Sequence, residues 1–260
     1  MRALRGDPPA APDAPIHQVT EANWSAVPRD LWHHYDEPTL PQQPGGFPVP
    51  NFALRANSSG GGSLGYWFGI GDAWAHVVAR HLPPAPTVLD LGCGCGKLTR
   101  FLALVPDVRY VGVDIFLPHV LWCRRAFASI EDRFAFHHFD GYSDVYNPTG
   151  AIQTVDYALP AADASIDAVA AHSLFTHLHE PEARHYLAEI ARVLKPGGRA
   201  VISLHVEPPA GQAYVNDHDR SDVDLDYFLA MAAAAGLAHH ETLGVIYGQT
   251  GVVLARRQHG

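Results

Sequence analysis

From Leu64 onward the chain falls into blocks of regular apolar spacing, and the residues before it do not. LGYWFGIGDAWAHVVARHL places its apolar residues at helical spacing and stops at Pro83. After it, TVLDLG reads as a strand, GKLTRFLAL as a helix, VRYVGVDI as a strand and LPHVLWCRRAFAS as a helix. RFAFHHFD is a third strand, and SIDAVAAHS a fourth beyond a long loop. In PEARHYLAEIARVL, residues Tyr186, Leu187, Ile190, Val193 and Leu194 share one helical face, and Pro181 suits the first turn. KPGG breaks that helix ahead of the strand RAVISLHV. DLDYFLAMAAAAG follows as a helix ended by Gly236, and HHETLGVIYGQTGVVLARR supplies two strands close enough for a hairpin. Strands alternating with helices and closed by a strand pair predict an α/β fold. Its sheet is doubly wound and mostly parallel, with an antiparallel C-terminal edge strand and helices on both faces.

Residues 1–62 lack this periodicity. They are rich in Pro, Ala and Gly and end in ANSSGGGS, a composition that predicts a flexible hinge. The aromatic islands WHHYDE and GGFPVPNF interrupt them, and a plain linker has no use for such residues. The expected organisation is an irregular N-terminal arm over 1–62, a candidate lid packed in part on a domain over 63–260.

Composition narrows the function. A chain of 260 residues with 47% hydrophobic and 17% charged residues can bury one substantial core. A formal net charge of −9 leaves no basic surplus for a nucleic-acid partner. No apolar run is long enough for a membrane span, and MRALRGDPPAAPDAPIH lacks the apolar centre of a signal peptide, so a cytoplasmic location is expected. Cys93, Cys95 and Cys123 are too few and odd in number for a disulfide framework. Cys93 and Cys95 have no second cysteine pair to complete a four-ligand zinc site, and adjacent histidines in a strand point to opposite faces. No metal is expected.

The chemistry concentrates at the ends of the predicted strands. Gly92, Gly94 and Gly96 lie between a strand and a helix, where backbone must bend sharply or approach a ligand closely. Ligands of a parallel sheet sit at the carboxyl ends of its strands, and Asp114 and Asp140 stand at two of those ends. An acid at Asp114 suits the ribose of a nicotinamide dinucleotide or of S-adenosylmethionine. Two features separate these ligands. Lys97 makes the glycine spacing G-x-G-x-G rather than G-x-G-x-x-G, and Asp90, inside the strand, would repel a pyrophosphate while favouring an ammonium and a sulfonium.

Taken in order, VLDLGCGCG, YVGVDI, FHHFD, SIDAVAAHSLFTHL and RVLKPGG resemble the successive motifs of class I S-adenosylmethionine-dependent methyltransferases. The resemblance is to the small-molecule and sugar methyltransferases of bacterial glycan and natural-product clusters, and it covers residues 65–206. It implies a Rossmann-like sheet in which the turn of Gly92, Gly94 and Gly96 runs beneath the methionine moiety. It further implies that Asp90 orients the amino group, Asp114 holds the ribose and Ile115 covers an adenine face. Asp140 would accept from the adenine amine beside the Gly141 amide, and Ser173 would lie near the methyl donor. For the acceptor, a small molecule, His177 is the favoured base and His205 the reserve, because both belong to the ligand-facing edge. The resemblance favours a hydroxyl acceptor over an amine. The alternatives are an N-methyltransferase of a small amine, a nicotinamide-dependent oxidoreductase and a non-catalytic methyltransferase-like scaffold.

Overall fold

The computed structural model describes residues 18–38, 40, 45–59, 61–217 and 219–257. Residues 1–17, read above as lacking a signal peptide, lie outside them, as does Gly60 of the expected hinge. The apolar runs become β1 (Thr87–Leu91), β2 (Arg109–Asp114), β3 (Phe134–His138), β4 (Ile166–Ala171) and β5 (Leu194–Leu204), all mutually parallel. A separate two-stranded ribbon follows, β6 (Tyr214–Asp217) and β7 (Arg220–Val223), and the hairpin β8 (Leu237–Ile246) and β9 (Gln249–Arg256) completes the main sheet. The strand order is β3-β2-β1-β4-β5-β9-β8. The doubly wound, mostly parallel sheet is therefore present, with β9 as its antiparallel member.

The last strand lies one place in from the edge, and β8 takes the edge itself. Burial explains the arrangement. Thr250 to Leu254 are buried without a break, as a central strand requires, whereas β8 is largely exposed or half-buried, as an edge tolerates.

Successive strand residues point to opposite faces, so Val88 and Leu89 of β1 enter two different cores. On one face pack α2 (Leu64–Ala79), the single turn α3 (Thr99–Leu102) and α4 (Leu117–Ala126), with Trp67, Trp74 and Trp122 fully buried. On the other lie α5 (Glu180–Val193) and α6 (Leu225–Ala234), contributing Leu187, Ile190 and Phe228. KPGG does not separate helix from strand: Leu194 already starts β5, and Gly197 takes its positive φ of 79° within the strand.

The arm is more ordered than its composition suggests. It holds two short 3-10 turns and a helix, α1 (Phe52–Ser59), whose final turn is the ANSS of the expected hinge. Val19, Trp32, Val49, Ala53 and Leu54 are buried, most of them in the α2–α4 core. Asn51 fastens the arm's backbone, donating from Nδ2 to the carbonyls of Trp32 and Tyr35 at 2.8 Å each. No helix among the described residues is long and apolar enough to cross a membrane.

Candidate active site

The turn after β1 is built from three glycines with positive φ: 72° at Gly92, 54° at Gly94 and 76° at Gly96. An L-residue pays roughly 1–2 kcal/mol in that region, so the sequence could not bend here with ordinary side chains. Gly96 has a second reason to be glycine, since a Cβ there would lie 2.7 Å from the Phe127 ring. The Gly92 and Cys93 amides both donate to the Val113 carbonyl, at 2.9 and 3.0 Å, which ties the turn to the end of β2. Next to it, the Asp114 carboxylate accepts from the Gly94 amide through one oxygen and from the Phe116 amide through the other, each at 2.8 Å. Asp114 therefore braces the turn and starts α4 at once, and its oxygens retain lone pairs for a further donor.

Asp90 lies beneath the turn and is 2% exposed. Its Oδ2 accepts from the Tyr110 hydroxyl at 2.6 Å, and burial pushes its carboxyl up to about 7, against the pull of that hydrogen bond. Lys97 is also buried; its ammonium donates to the Ser58 carbonyl at 3.0 Å and to Ser59 Oγ at 3.3 Å, fastening α1 over the turn. Ile115 is half-buried against the α5 side of the core.

Asp140 and Gly141 stand farther out, beyond the end of β3. The Asp140 carboxylate accepts from Asn147 Nδ2 at 3.0 Å and from the Ala151 amide at 3.4 Å, which ties down the loop that follows. Gly141 is required locally, because a Cβ would meet the Phe139 ring at 2.4 Å.

At the ends of β4 and β5 the groups come from several segments. Ser173 adopts a positive φ of 57°, unusual for serine, and three hydrogen bonds hold it there. Its amide donates to Ser203 Oγ at 2.7 Å, Ser203 Oγ donates to Gln249 Oε1 at 2.6 Å, and Gln249 Nε2 donates to Ser173 Oγ at 3.0 Å. The ring closes on itself. Leu174, the next residue, would lie 3.6 Å from a Cβ at Gly92, so this turn abuts the glycine turn.

His177 is half-buried between the ribbon and the loop after β3. Its Nδ1 lies 2.5 Å from the Asp219 carbonyl, which can only accept, so Nδ1 carries the hydrogen and Nε2 keeps its lone pair. Nε2 faces the Tyr146 hydroxyl at 3.4 Å, and the two rings meet edge to face. Burial holds the imidazole below its ordinary titration range, despite the opposing influence of Asp219. His205 stands near His177, beside the Arg220–Asp222 ion pair; burial first, then Arg220, lowers its titration too.

Thus Asp90, Gly92, Gly94, Gly96, Asp114 and Ile115 converge around the glycine turn, the turn of Ser173 abuts it through Leu174, and His177 and His205 stand beside the ribbon. Lys97, Tyr146, Ser203 and Gln249 were not singled out as site residues from the sequence. Tyr146 lies in the loop YSDVYNPTG, whose pattern gives no cue to its partner, and Gln249 follows the hairpin turn Tyr247–Gly248. Among the described residues no cluster could hold a metal ion, and all three cysteines are free and buried.

Comparison with known proteins bears on the family and the fold. The model of a family described as a methyltransferase domain matches residues 88–198. The chain is 34% identical over 128 residues to 27-O-demethylrifamycin SV methyltransferase of Amycolatopsis mediterranei, covering 48% of this chain and 41% of that protein. It is 32% identical over 136 residues to O-methyltransferase cnsE of Penicillium expansum, covering 52% and 44%. It thus spans less than half the length of either relative. Among solved structures, 1,6-didemethyltoxoflavin-N1-methyltransferase of Burkholderia thailandensis, determined with S-adenosylhomocysteine, shares the fold. That match has a TM-score of 0.52 and 21% identity, covering 73% of this chain and 79% of that one.

Proposed function

We propose that this chain, which belongs to the class I S-adenosylmethionine-dependent methyltransferases, transfers a methyl group to a hydroxyl of a small molecule. The cofactor of that family fits the residues present. Three positive-φ glycines bend the turn sharply at the end of β1, an acid with spare lone pairs closes β2, and Ile115 supplies an apolar neighbour. When bound, the cofactor supplies a methyl group made electrophilic by its sulfonium. Asp114 would hold the ribose hydroxyls, and Asp140 with Gly141 would meet the adenine. Asp90 would favour the cationic end of the ligand, and Ser173 would lie at the donor side of the acceptor pocket.

The observation that carries the hydroxyl reading is the fixed tautomer of His177. With Nδ1 committed to Asp219 and burial keeping the ring neutral, Nε2 is an available base beside the turn that follows β4. An attacking hydroxyl must lose its proton as the carbon–oxygen bond forms, and Nε2 would take it, with Tyr146 beside it and His205 in reserve. The arm, fastened on the glycine turn through α1, would exclude water as a lid does.

Calorimetry tests the first half of this reading: S-adenosylhomocysteine should bind in the micromolar range, and NAD and NADP should not. Incubation with labelled S-adenosylmethionine and matched small alcohols, phenols and amines tests the second. Label appearing only on amines would reject the hydroxyl assignment and keep the enzyme class. Tight NAD binding alone would reject both.

A further inference from the structure

The β8–β9 turn departs from the residues its own geometry favours. Ile246 pairs with Gln249, so the hairpin turns on Tyr247 and Gly248 alone, and both take positive φ, 50° and 82°. A two-residue turn of that kind favours Asn-Gly, Asp-Gly or Gly-Gly, and a bulky side chain at its first position is strained. Tyr247 stands there all the same, 45% exposed. Its hydroxyl lies against Gly69 of α2, where a Cβ would overlap it, so a second position stays small for this phenol. Tyr66 of α2, 44% exposed, meets the Tyr247 ring edge to face, with centroids 5.5 Å apart and planes at 74°. The two rings form an exposed aromatic corner.

The corner belongs to the carboxyl edge of the sheet. β9 runs antiparallel to β5 with Thr250 opposite Leu204, so the turn before β9 projects past the end of β5. Two residues after Tyr247, Gln249 bonds to Ser173 beyond β4. In the strand order the glycine turn ends β1, then come β4 and β5, and the corner stands at β9. Neighbouring strands lie about 4.8 Å apart, which puts β9 about 10 Å from β4 and about 14 Å from β1. Within that interval His172, just past β4, packs on Trp74 of α2 with ring centroids 5.0 Å apart. It is half-buried, and neither of its nitrogens has a hydrogen-bond partner among the described residues. Burial, followed by the Lys97 charge, holds its titration well below the ordinary range. A neutral imidazole so placed has one donor and one acceptor to give to an oxygen-bearing ligand.

We infer that Tyr66 and Tyr247 form the platform for the methyl acceptor, and that this acceptor is a flat, fused-ring phenol. The assignment deepens the proposed function and rests on it. A flat ring stacks on one phenol while its edge meets the other, the two arrangements that aromatic rings prefer. A span of about 10 Å from the corner to the end of β4 is too long for one benzene ring and suits two or more fused rings, with the reacting hydroxyl at the β4 end. A saturated ring system of the same size fills the corner without gaining that geometry.

The test reads binding, with the full chain saturated by S-adenosylhomocysteine. Calorimetry compares naphthols with their decahydro analogues. The wild type should bind the naphthols ~3–10-fold more tightly, as one well-placed aromatic pair implies. Tyr247→Asn creates the favoured Asn-Gly turn. It should cut the preference below about twofold and leave the melting temperature no lower than that of the wild type. Tyr66→Leu, which keeps an apolar side chain on α2, should cut the preference to the same extent. Naphthols that fail to bind, or bind no better than the saturated alcohols, would overturn the inference, as would a preference that survives both substitutions. So would a Tyr247→Asn variant that melts lower and loses both ligands alike, the mark of a phenol that only packs the hairpin. Failure of S-adenosylhomocysteine to bind the folded wild type would overturn the cofactor reading itself, a result distinct from all of these.

Discussion

Around β1 and β2 the carboxyl edge of the sheet is made almost wholly of backbone, whereas around β4 and β5 it is made of side chains. At the first, three glycines and two amides define a cradle, and Asp114 locks it with both oxygens. At the second, Tyr146, Ser173, His177 and Gln249 arrive from three segments, each held by a few side-chain hydrogen bonds. The contrast fits the two tasks given to these edges by the proposed function. A ligand common to a whole family can be met by fixed backbone geometry, whereas an acceptor that differs between relatives is better met by side chains on loops, which change without disturbing the sheet.

Three experiments would break or sharpen this contrast. The largest effect is expected at the backbone half. Gly96→Ala should lower unfolding free energy by about 2–5 kcal/mol, combining the positive-φ penalty with overlap onto Phe127. Gly92→Ala, whose Cβ would find only ordinary contact at 3.6 Å, should lose no more than about 1–2 kcal/mol in the same urea titration. Equal losses at the two positions would contradict the packing described for Gly96.

On the side-chain half the expected loss is in rate. His177→Ala should slow methyl transfer by ~10²-fold, about 2.7 kcal/mol of barrier, and leave affinity for S-adenosylhomocysteine within about twofold. The base must be neutral to work, and burial shifts its protonation to lower pH. The wild-type rate should therefore stay level down through pH ~6.5, the ordinary histidine value, and fall only below it. A rate already halved at pH 7 would exclude His177.

The smallest effect again concerns the backbone half, and it runs the other way in pH. Asp90 holds its proton up to about 7 in the fold against an ordinary 3.8, so the native state binds a proton that the unfolded chain has released. Wild-type stability is then lost as pH rises from 4 to 7, with the full penalty above 7. Asp90→Asn never ionises. Its stability relative to wild type should climb across that window and level off by at least about 1 kcal/mol, or ~2–4 °C in melting temperature. A flat difference would mean that Asp90 is already ionised in the native protein at pH 4.

The same contrast governs what could be read from the chain. The glycine turn, Asp90 and Asp114 fall within one strand–turn–helix–strand unit, so spacing alone exposed them. His177 could be placed at the edge by position, but its Asp219 and Tyr146 partners lie 42 and 31 residues away, and no local pattern joins them. The ribbon β6–β7 passed unnoticed because YVND and RSDV carry little apolar alternation. In α1 the reading failed for a different reason. Asn and Ser are weak helix formers, and ANSSGGGS looks like a linker, but Ala53 and Leu54 are buried and Lys97 caps the Ser58 carbonyl and the Ser59 hydroxyl in the helix's last turn. Tertiary contacts made 38–41 positions along the chain settled a helix that eight residues could not hold alone.

The position of β9 sets a constraint in time. Synthesis produces β8 first, yet β8 has no neighbour in the sheet except β9, and β5 has an open flank until β9 fills it. A nascent chain that has reached Ile246 thus carries two unpaired strand borders, one of them the flank of the almost fully buried Ala200–Leu204 segment. Such borders invite pairing with other chains. A single strand, Gln249–Arg256, closes both at once. Emergence of that strand ends the period of greatest risk from aggregation.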